Sequence, residues 1–240
     1  MRKFGFFLLF FCIWLAACQT DQTYTYDLLP SEVKEFPIDE RTNIHTRFVQ
    51  YFRAEDGRAF LVTESTNKNS LQFFDYHSGV LSKEITFPHG GPNKLGVGLN
   101  GAYVKSLDSI YVNASQAGMV ARTDTTGVLL EKFNLARLDT MYRINCIAST
   151  VFSLQYYQNR LFARISAADW GLEKTGAPIE AEIDLATGQS QVYNTYPDTG
   201  NRIFGGGMKL GFRTIRRGEL IYSFGFSPYL HILRIDDHSK

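Results

Sequence analysis

The chain has 240 residues, 44% hydrophobic and 14% aromatic, with 25 Lys and Arg against 24 Asp and Glu. That length can bury one sizeable core. A formal charge of +1 gives no electrostatic case for nucleic acid or for an anionic membrane surface.

Residues 1–17 read as a secretion signal, with Arg2 and Lys3 as the positive end and Phe4 to Trp14 as the apolar stretch. That stretch is shorter than the ~20 residues of a comfortable membrane span. Leu15-Ala16-Ala17-Cys18 resembles the bacterial lipobox, in which the cysteine thiol is lipidated and becomes the first mature residue. Several acyl chains on Cys18 give stable anchoring. The expected location is therefore the bacterial cell envelope, lipid-anchored on the periplasmic or surface face of the outer membrane. Removing the signal takes Arg2 and Lys3 and no acid, which leaves 23 cations against 24 acids and a formal charge of −1. Cys12 leaves with the signal and Cys18 is lipidated. Cys146 then has no disulfide partner and reads as a small buried apolar residue.

Residues 18–32 are polar and read as a tether, and residues 33–240 as a single domain. Val33 to Ile38 is a short strand candidate whose proline restricts it to an edge or a ladder end. Four units follow, each with an aromatic-rich first strand, a second strand and a hairpin. The first strands are expected at Arg47 to Arg53, Gly101 to Lys105, Thr150 to Tyr156 and Lys209 to Ile215. The second strands are expected at Ala59 to Thr63, Ser109 to Asn113, Arg160 to Ile165 and Glu219 to Phe224. The hairpins turn at Asp75-Tyr76-His77-Ser78-Gly79, at Asp124 to Gly127 and at Asp184 to Gly188. A fourth begins at Asp236. The four aspartates are spaced by 49, 60 and 52 residues, and the second-strand markers Phe60, Ile110, Leu161 and Leu220 by 50, 51 and 59. Two registers thus agree on one all-strand unit, which is how propeller blades repeat. No longer stretch shows a capped helical period. The fold class is all-β, β-propeller-like, with four repeat units of which the last is incomplete.

The chain stops at the fourth turn, so that unit lacks an outer strand. Either Val33 to Ile38 supplies it and closes a four-bladed ring, or the 240 residues are a truncated larger propeller. An open arc would expose strand edges. The third unit is lengthened by a loop, Ser166 to Pro178, that carries Trp170, the only tryptophan of the mature protein. Loops on a rigid scaffold gather recognition residues, so Trp170 is a candidate ligand contact beside the alternative of a ring packed on the fold.

Enzyme signatures are absent from the sequence. Gly90-Gly91-Pro92-Asn93 to Gly98 and Gly205 to Gly207 lack the Gly-Lys-Ser/Thr of a phosphate loop and fit crossings between blades. His45, His77, His89, His231 and His238 have no zinc-ligand spacing, and no nucleophile elbow occurs. No metal or cofactor is expected. From Arg202 to Arg217 the chain has five cations (Arg202, Lys209, Arg213, Arg216, Arg217) and no acid. Arg213 and Arg216 are thus candidate contacts for an acidic glycan, against the alternative that they are solvated or paired with acids elsewhere. Tyrosines such as Tyr51, Tyr156, Tyr157 and Tyr193 suit a carbohydrate- or protein-binding surface. In the pair Tyr156-Tyr157, alternation on a strand leaves at least one ring exposed.

Phe36-Pro37-Ile38-Asp39, Gln50-Tyr51-Phe52, Phe73-Phe74-Asp75-Tyr76 with Gly79, Ile85-Thr86-Phe87, Gly91-Pro92-Asn93 and Leu107 to Val112 carry a resemblance. In these residues and in its lipobox the chain resembles the bacteroidete lipoproteins with domain of unknown function 4221, which are related to six-bladed propeller lipoproteins. The resemblance runs from about Val33 to the C-terminus. Members are usually longer than this chain, which implies further blades, and they bring no assigned activity or catalytic residues. The function expected is a lipid-anchored binding or scaffold propeller for glycan, peptide or protein, and the alternative is a propeller-type glycan lyase or hydrolase. An enzyme would place two or more acid/base residues around the central channel. A binder would show aromatic and polar groups without such a pair.

Overall fold

The structure is a computed structural model. It describes residues 33–37, 40, 42, 46–65, 67–91, 94–95, 98–114, 118–136, 138, 144–167, 178–195, 212–224 and 227–235. Every regular element among them is a strand, and the strands form four antiparallel sheets arranged as the blades of a propeller. Blade 1 is β1 (Val49–Arg53), β2 (Ala59–Ser65), β3 (Ser70–Asp75) and β4 (Leu81–Thr86), in that order across the sheet. Blade 2 repeats the order with β5 (Ala102–Ser106), β6 (Ser109–Ala114), β7 (Met119–Thr123) and β8 (Leu129–Asn134). Blade 3 contains β9 (Ile144–Ile147), β10 (Gln155–Tyr157), β11 (Arg160–Ala167), β12 (Pro178–Asp184) and β13 (Ser190–Thr195). Blade 4 has three strands, β14 (Phe212–Arg216), β15 (Glu219–Ser223) and β16 (Leu230–Arg234).

The turn between the third and fourth strands is built on an aspartate in blades 1 to 3, with the turn of blade 2 one residue shorter. Asp75 Oδ1 accepts from the N–H of His77 at 3.1 Å and of Ser78 at 2.7 Å. Asp124 Oδ1 accepts from Thr126 N–H at 2.7 Å, and Asp184 Oδ1 from Ala186 N–H at 2.8 Å. A carboxylate two residues upstream satisfies donors that the tight turn strands, as an Asx-turn does. Gly79, Gly127 and Gly188 close the turns at φ of +75°, +80° and +71°, a region costly for any residue with a Cβ. The Ser78 N–H, the Thr126 hydroxyl and the Ala186 N–H hold their respective carboxyls below the usual carboxylate range. The repeated aspartates are therefore turn-formers. The start of the fourth copy, Asp236, lies outside the described residues.

Two expectations need correction. Val33–Pro37 forms no strand, and among the described residues β16 pairs only with β15. Phe36 instead packs on blade 1, edge to face with Phe74 at 6.3 Å and tilted on Tyr76 at 6.0 Å. Aromatic burial thus outcompetes strand addition for this segment. The first strand of blade 3 is also not continuous from Thr150. β9 pairs with the far end of β11 (Cys146 opposite Ile165), and β10 with its near end (Tyr156 opposite Leu161). Between them the chain leaves the sheet, where Ser149 Oγ accepts from Phe152 N–H at 3.1 Å.

Each junction between blades has its own core. Phe60, Val62, Leu71 and Phe73 of blade 1 meet Val104, Ile110 and Val112 of blade 2. Tyr111, Val120 and Phe133 of blade 2 meet Leu161, Ala163 and Ile183 of blade 3. Phe162 of blade 3 meets Leu220 and Tyr222 of blade 4. Side-chain amides fasten the first strands to one another. Gln50 Nε2 donates to Val104 O at 3.0 Å while its Oε1 accepts from Val104 N–H at 2.9 Å. Gln155 Oε1 likewise accepts from Ile215 N–H at 3.3 Å. Buried Glu64 ties blade 1 to the start of blade 2, accepting from Gly101 N–H at 2.6 Å, and burial pushes its carboxyl up.

Gly101 has φ +80°, and a Cβ there would lie 2.8 Å from the Ala148 backbone. Gly101→Ala is expected to destabilise the fold by ~2–4 kcal/mol, combining left-handed strain with overpacking. The midpoint of urea unfolding measures this, and an unchanged midpoint would show that the blade 2–blade 3 junction is looser than its contacts imply.

Candidate functional site

The first strands of blades 1, 2 and 3 border an open cleft of about 350 Å³. Its walls are Phe48–Tyr51, Ala102, Tyr103, Thr150 and Ser153–Tyr156. These residues converge because β1 lies against β5 and because Thr150 bonds to blade 1. The Thr150 hydroxyl accepts from Val49 N–H at 2.8 Å and donates to Arg47 O at 3.2 Å. Tyr103 and Tyr156 stack across the blade 2–blade 3 junction, 6.1 Å apart at 13°. The ammonium of Lys105 lies 4.5 Å from the Tyr156 ring centre, a cation–π contact that fixes one side of the ring. Burial pushes the Tyr103 phenol up, so it stays a neutral hydrogen-bonding group near pH 7. The cavity lining includes no Asp, Glu, His or Cys.

A second cavity of about 320 Å³ lies at the turns joining first to second strands, along Phe52–Asp56 and Lys105–Asp108. It does hold acids, Glu55, Asp56 and Asp108, beside Arg53 and Lys105. Asp56 is taken up by Arg58, with Oδ2 accepting from Nε at 2.8 Å, and that bond holds its carboxyl below the usual range. A general acid needs the opposite shift. Among the described residues no cluster of His, Cys, Asp and Glu could hold a metal ion.

Of the residues singled out from the sequence, Trp170 and Cys18 lie outside the described residues, as do Arg202 and Lys209. Arg213 is buried at the blade 3–blade 4 junction. Its Nε donates to Glu180 Oε2 at 2.6 Å, Nη1 to Ser153 O at 2.7 Å and Nη2 to Phe162 O at 3.3 Å. Both side chains of the pair are fully enclosed, and the Tyr222 hydroxyl donates to the same carboxylate oxygen at 3.3 Å. Of the two sequence readings of Arg213, its geometry is that of a cation paired within the fold. Arg216 is exposed three residues further along the same strand, on its opposite face, so the two do not form one surface. Cys146 is buried, and burial pushes its thiol up to about 12, which leaves no thiolate for chemistry. Tyr156 and Tyr157 are both half-buried, correcting the expectation of an exposed ring, because blades 2 and 4 each cover one side of β10. Tyr103 drew no attention in the sequence. Its only signal was a tyrosine on a first strand.

The family model for "Domain of unknown function (DUF4221)" matches residues 25–239. The chain belongs to that family. A crystallised DUF4221 member from Bacteroides vulgatus is similar over 83% of this chain and 60% of its own, with TM-score 0.66 and 17% identity. This chain thus spans about three-fifths of that relative's length, and the likeness shows the propeller fold. A protein of unknown function from Bacteroides caccae aligns over 57% of this chain and 46% of its own, at TM-score 0.39 and 15% identity. No curated protein matches the chain.

Replacing Arg213 by Met is expected to cost ~3–5 kcal/mol, because Glu180 is left as a buried unpaired charge. The double substitution Arg213→Met with Glu180→Met should recover most of that loss. Urea unfolding of the four-member cycle measures both, and additive losses would show that the pair is not coupled.

Proposed function

We propose that this DUF4221 protein is a binding module of the bacterial cell envelope, lipid-anchored through Cys18, that seats a glycan or peptide in the cavity between its first strands. The observation that supports this most is the composition of the cavity wall. Stacked Tyr103 and Tyr156 line a space of about 350 Å³ with no carboxylate, imidazole or thiol in its lining. Its volume falls in the ~300–1,000 Å³ range of ligand sites, and its exposed wall is more polar than apolar, as suits a hydroxyl-rich ligand. Aromatic faces suit the apolar faces of sugar rings and of peptide side chains. Hydrolysis or elimination of a glycan needs acid/base groups at the scissile bond, which this wall lacks.

The amides that reach the cavity are already bonded to protein. Gln50 is spent on Val104, and Gln155 on Ile215 and on the Ser153 hydroxyl at 2.8 Å. Recognition therefore falls on the tyrosine rings and their hydroxyls. Such a wall is set before the ligand arrives and loses little rotamer freedom on binding. Anchoring at Cys18 through a polar tether, residues 18–32, would let the propeller sample ligands close to the membrane.

Two measurements test this reading. A thermal-shift screen of envelope oligosaccharides and peptides should find a ligand whose affinity falls at least tenfold, ~1.4 kcal/mol, in Tyr103→Ala and in Tyr156→Ala. A ligand whose affinity ignores both substitutions would place binding elsewhere. Separately, Cys18→Ala should abolish incorporation of labelled fatty acid and shift the protein out of the membrane fraction. Continued labelling would remove Cys18 as the anchor.

A further inference from the structure

The first strands of the four blades carry cations and no acid. β1, β5, β10 and β14 contain Arg53, Lys105, Arg213 and Arg216 and neither Asp nor Glu. Every strand-borne carboxylate among the described residues belongs to a second, third or fourth strand. Three of the cations stand at one position of the repeat. Arg53 follows Phe52, which pairs with Phe60, and Lys105 follows Val104, which pairs with Ile110. Arg216 follows Ile215, which pairs with Leu220. All three are exposed, whereas Arg213 is buried on Glu180.

Lys105 is the cation that meets the cleft. Its ammonium lies 4.5 Å from the centre of the Tyr156 ring, and Tyr156 is part of the cleft wall. With Arg53 it also borders the second cavity, where Glu55, Asp56 and Asp108 stand. Neither Lys105 nor Arg53 forms an ion pair among the described residues, and Asp56 is paired with Arg58. An ammonium that rests on a ring face, with carboxylates nearby, is held by the ring's quadrupole and keeps N–H donors open.

We propose that the ligand of this cleft is an acidic glycan, with a sugar ring packed on Tyr103 and Tyr156 and its anionic group paired with Lys105. The assignment deepens the binding role proposed for the cleft and depends on it. The predominantly polar wall fits sugar hydroxyls better than it fits the side chains of a peptide, and a wall without Asp or Glu does not repel an anion. Lys105 is a compact point charge, so it accepts carboxylate and sulfate alike. Arg53, at the corresponding position of β1, adds a second cation on the side of the second cavity.

Titration calorimetry on the full chain tests this. The probes are uronate-containing oligosaccharides, each beside its carboxyl-reduced counterpart, with sulfated oligosaccharides and a glutamate-rich peptide as further arms. An acidic oligosaccharide is expected to bind at least about fivefold tighter than its neutral counterpart, with a preference that shrinks as salt is raised. Lys105→Gln should bring that ratio close to one, and Lys105→Arg should keep it. Tyr103→Ala should weaken acidic and neutral forms together. This pattern with a uronate or with a sulfated probe supports the proposal and identifies the anion. Equal affinity for acidic and neutral forms, or a preference that survives Lys105→Gln, would overturn the acidic assignment and leave the cleft as the site wherever Tyr103→Ala still weakens binding. Tightest binding of the peptide would overturn the glycan. Acidic binding indifferent to both Tyr103→Ala and Tyr156→Ala, or no binding of any probe, would remove the cleft reading itself and the proposal with it.

Discussion

The pleat of a β-strand sends successive side chains to opposite faces, and in this protein most sheets must bury both faces at once. That constraint orders everything else. β2 shows it directly, since Phe60 and Val62 face blade 2 while Leu61 and Thr63 face the other way, and six of its seven residues are buried. A sheet buried on both faces cannot be satisfied by its own hairpins, so each blade needs a neighbour and stability accrues between blades. The apolar clusters divide accordingly, one per junction.

Much of this was legible because it is local. The hairpin turn rests on an aspartate, a hydroxyl residue or its neighbour, and a glycine within five positions, and blades 1 and 3 fold it alike while blade 2 shortens it by one residue. The second strands are found nearly where alternation puts them, with Ala59–Ser65 observed against Ala59 to Thr63 expected. The rest depended on partners far away in sequence. Gln50 reads as an ordinary strand residue until Val104 is beside it, and Arg213 reads as part of a cationic run until Glu180 encloses it. Val33–Pro37 has the composition of a strand but is held by Phe36 on Phe74, a contact that no local pattern announces. The break between β9 and β10 is of the same kind, because Thr150 is drawn from the sheet to bond with Arg47 and Val49 of blade 1.

The junctions are also not chemically equivalent, and this separates architecture from site. Blades 1 and 2 meet through an apolar core with a Gln staple and the buried Glu64. Blades 3 and 4 meet through the Arg213–Glu180 pair and Tyr222. Arg160 adds a bond at the rim from Nη1 to Ile235 O at 3.0 Å. A buried pair of this type contributes little net stability, but it penalises any register in which the partners miss each other. It therefore defines how blade 4 sits on blade 3 more sharply than the few apolar contacts there could alone. Buried charge is used here to align sheets, and its presence is no sign of catalysis.

The cavity at the first strands follows from the same geometry. Three sheets held at fixed spacing by side chain-to-backbone bonds leave a gap near the axis that their own first strands cannot fill. Gln50, Thr150 and Gln155 in its wall are already hydrogen-bonded to protein. The stacked tyrosines are held in place by Lys105 and by the two blades that carry them. The amides of Gln50 and Gln155 are taken up by protein, which leaves the tyrosine rings and hydroxyls as the groups facing the space. In the binding role proposed above, the scaffold would supply precision and the tyrosine rings contact.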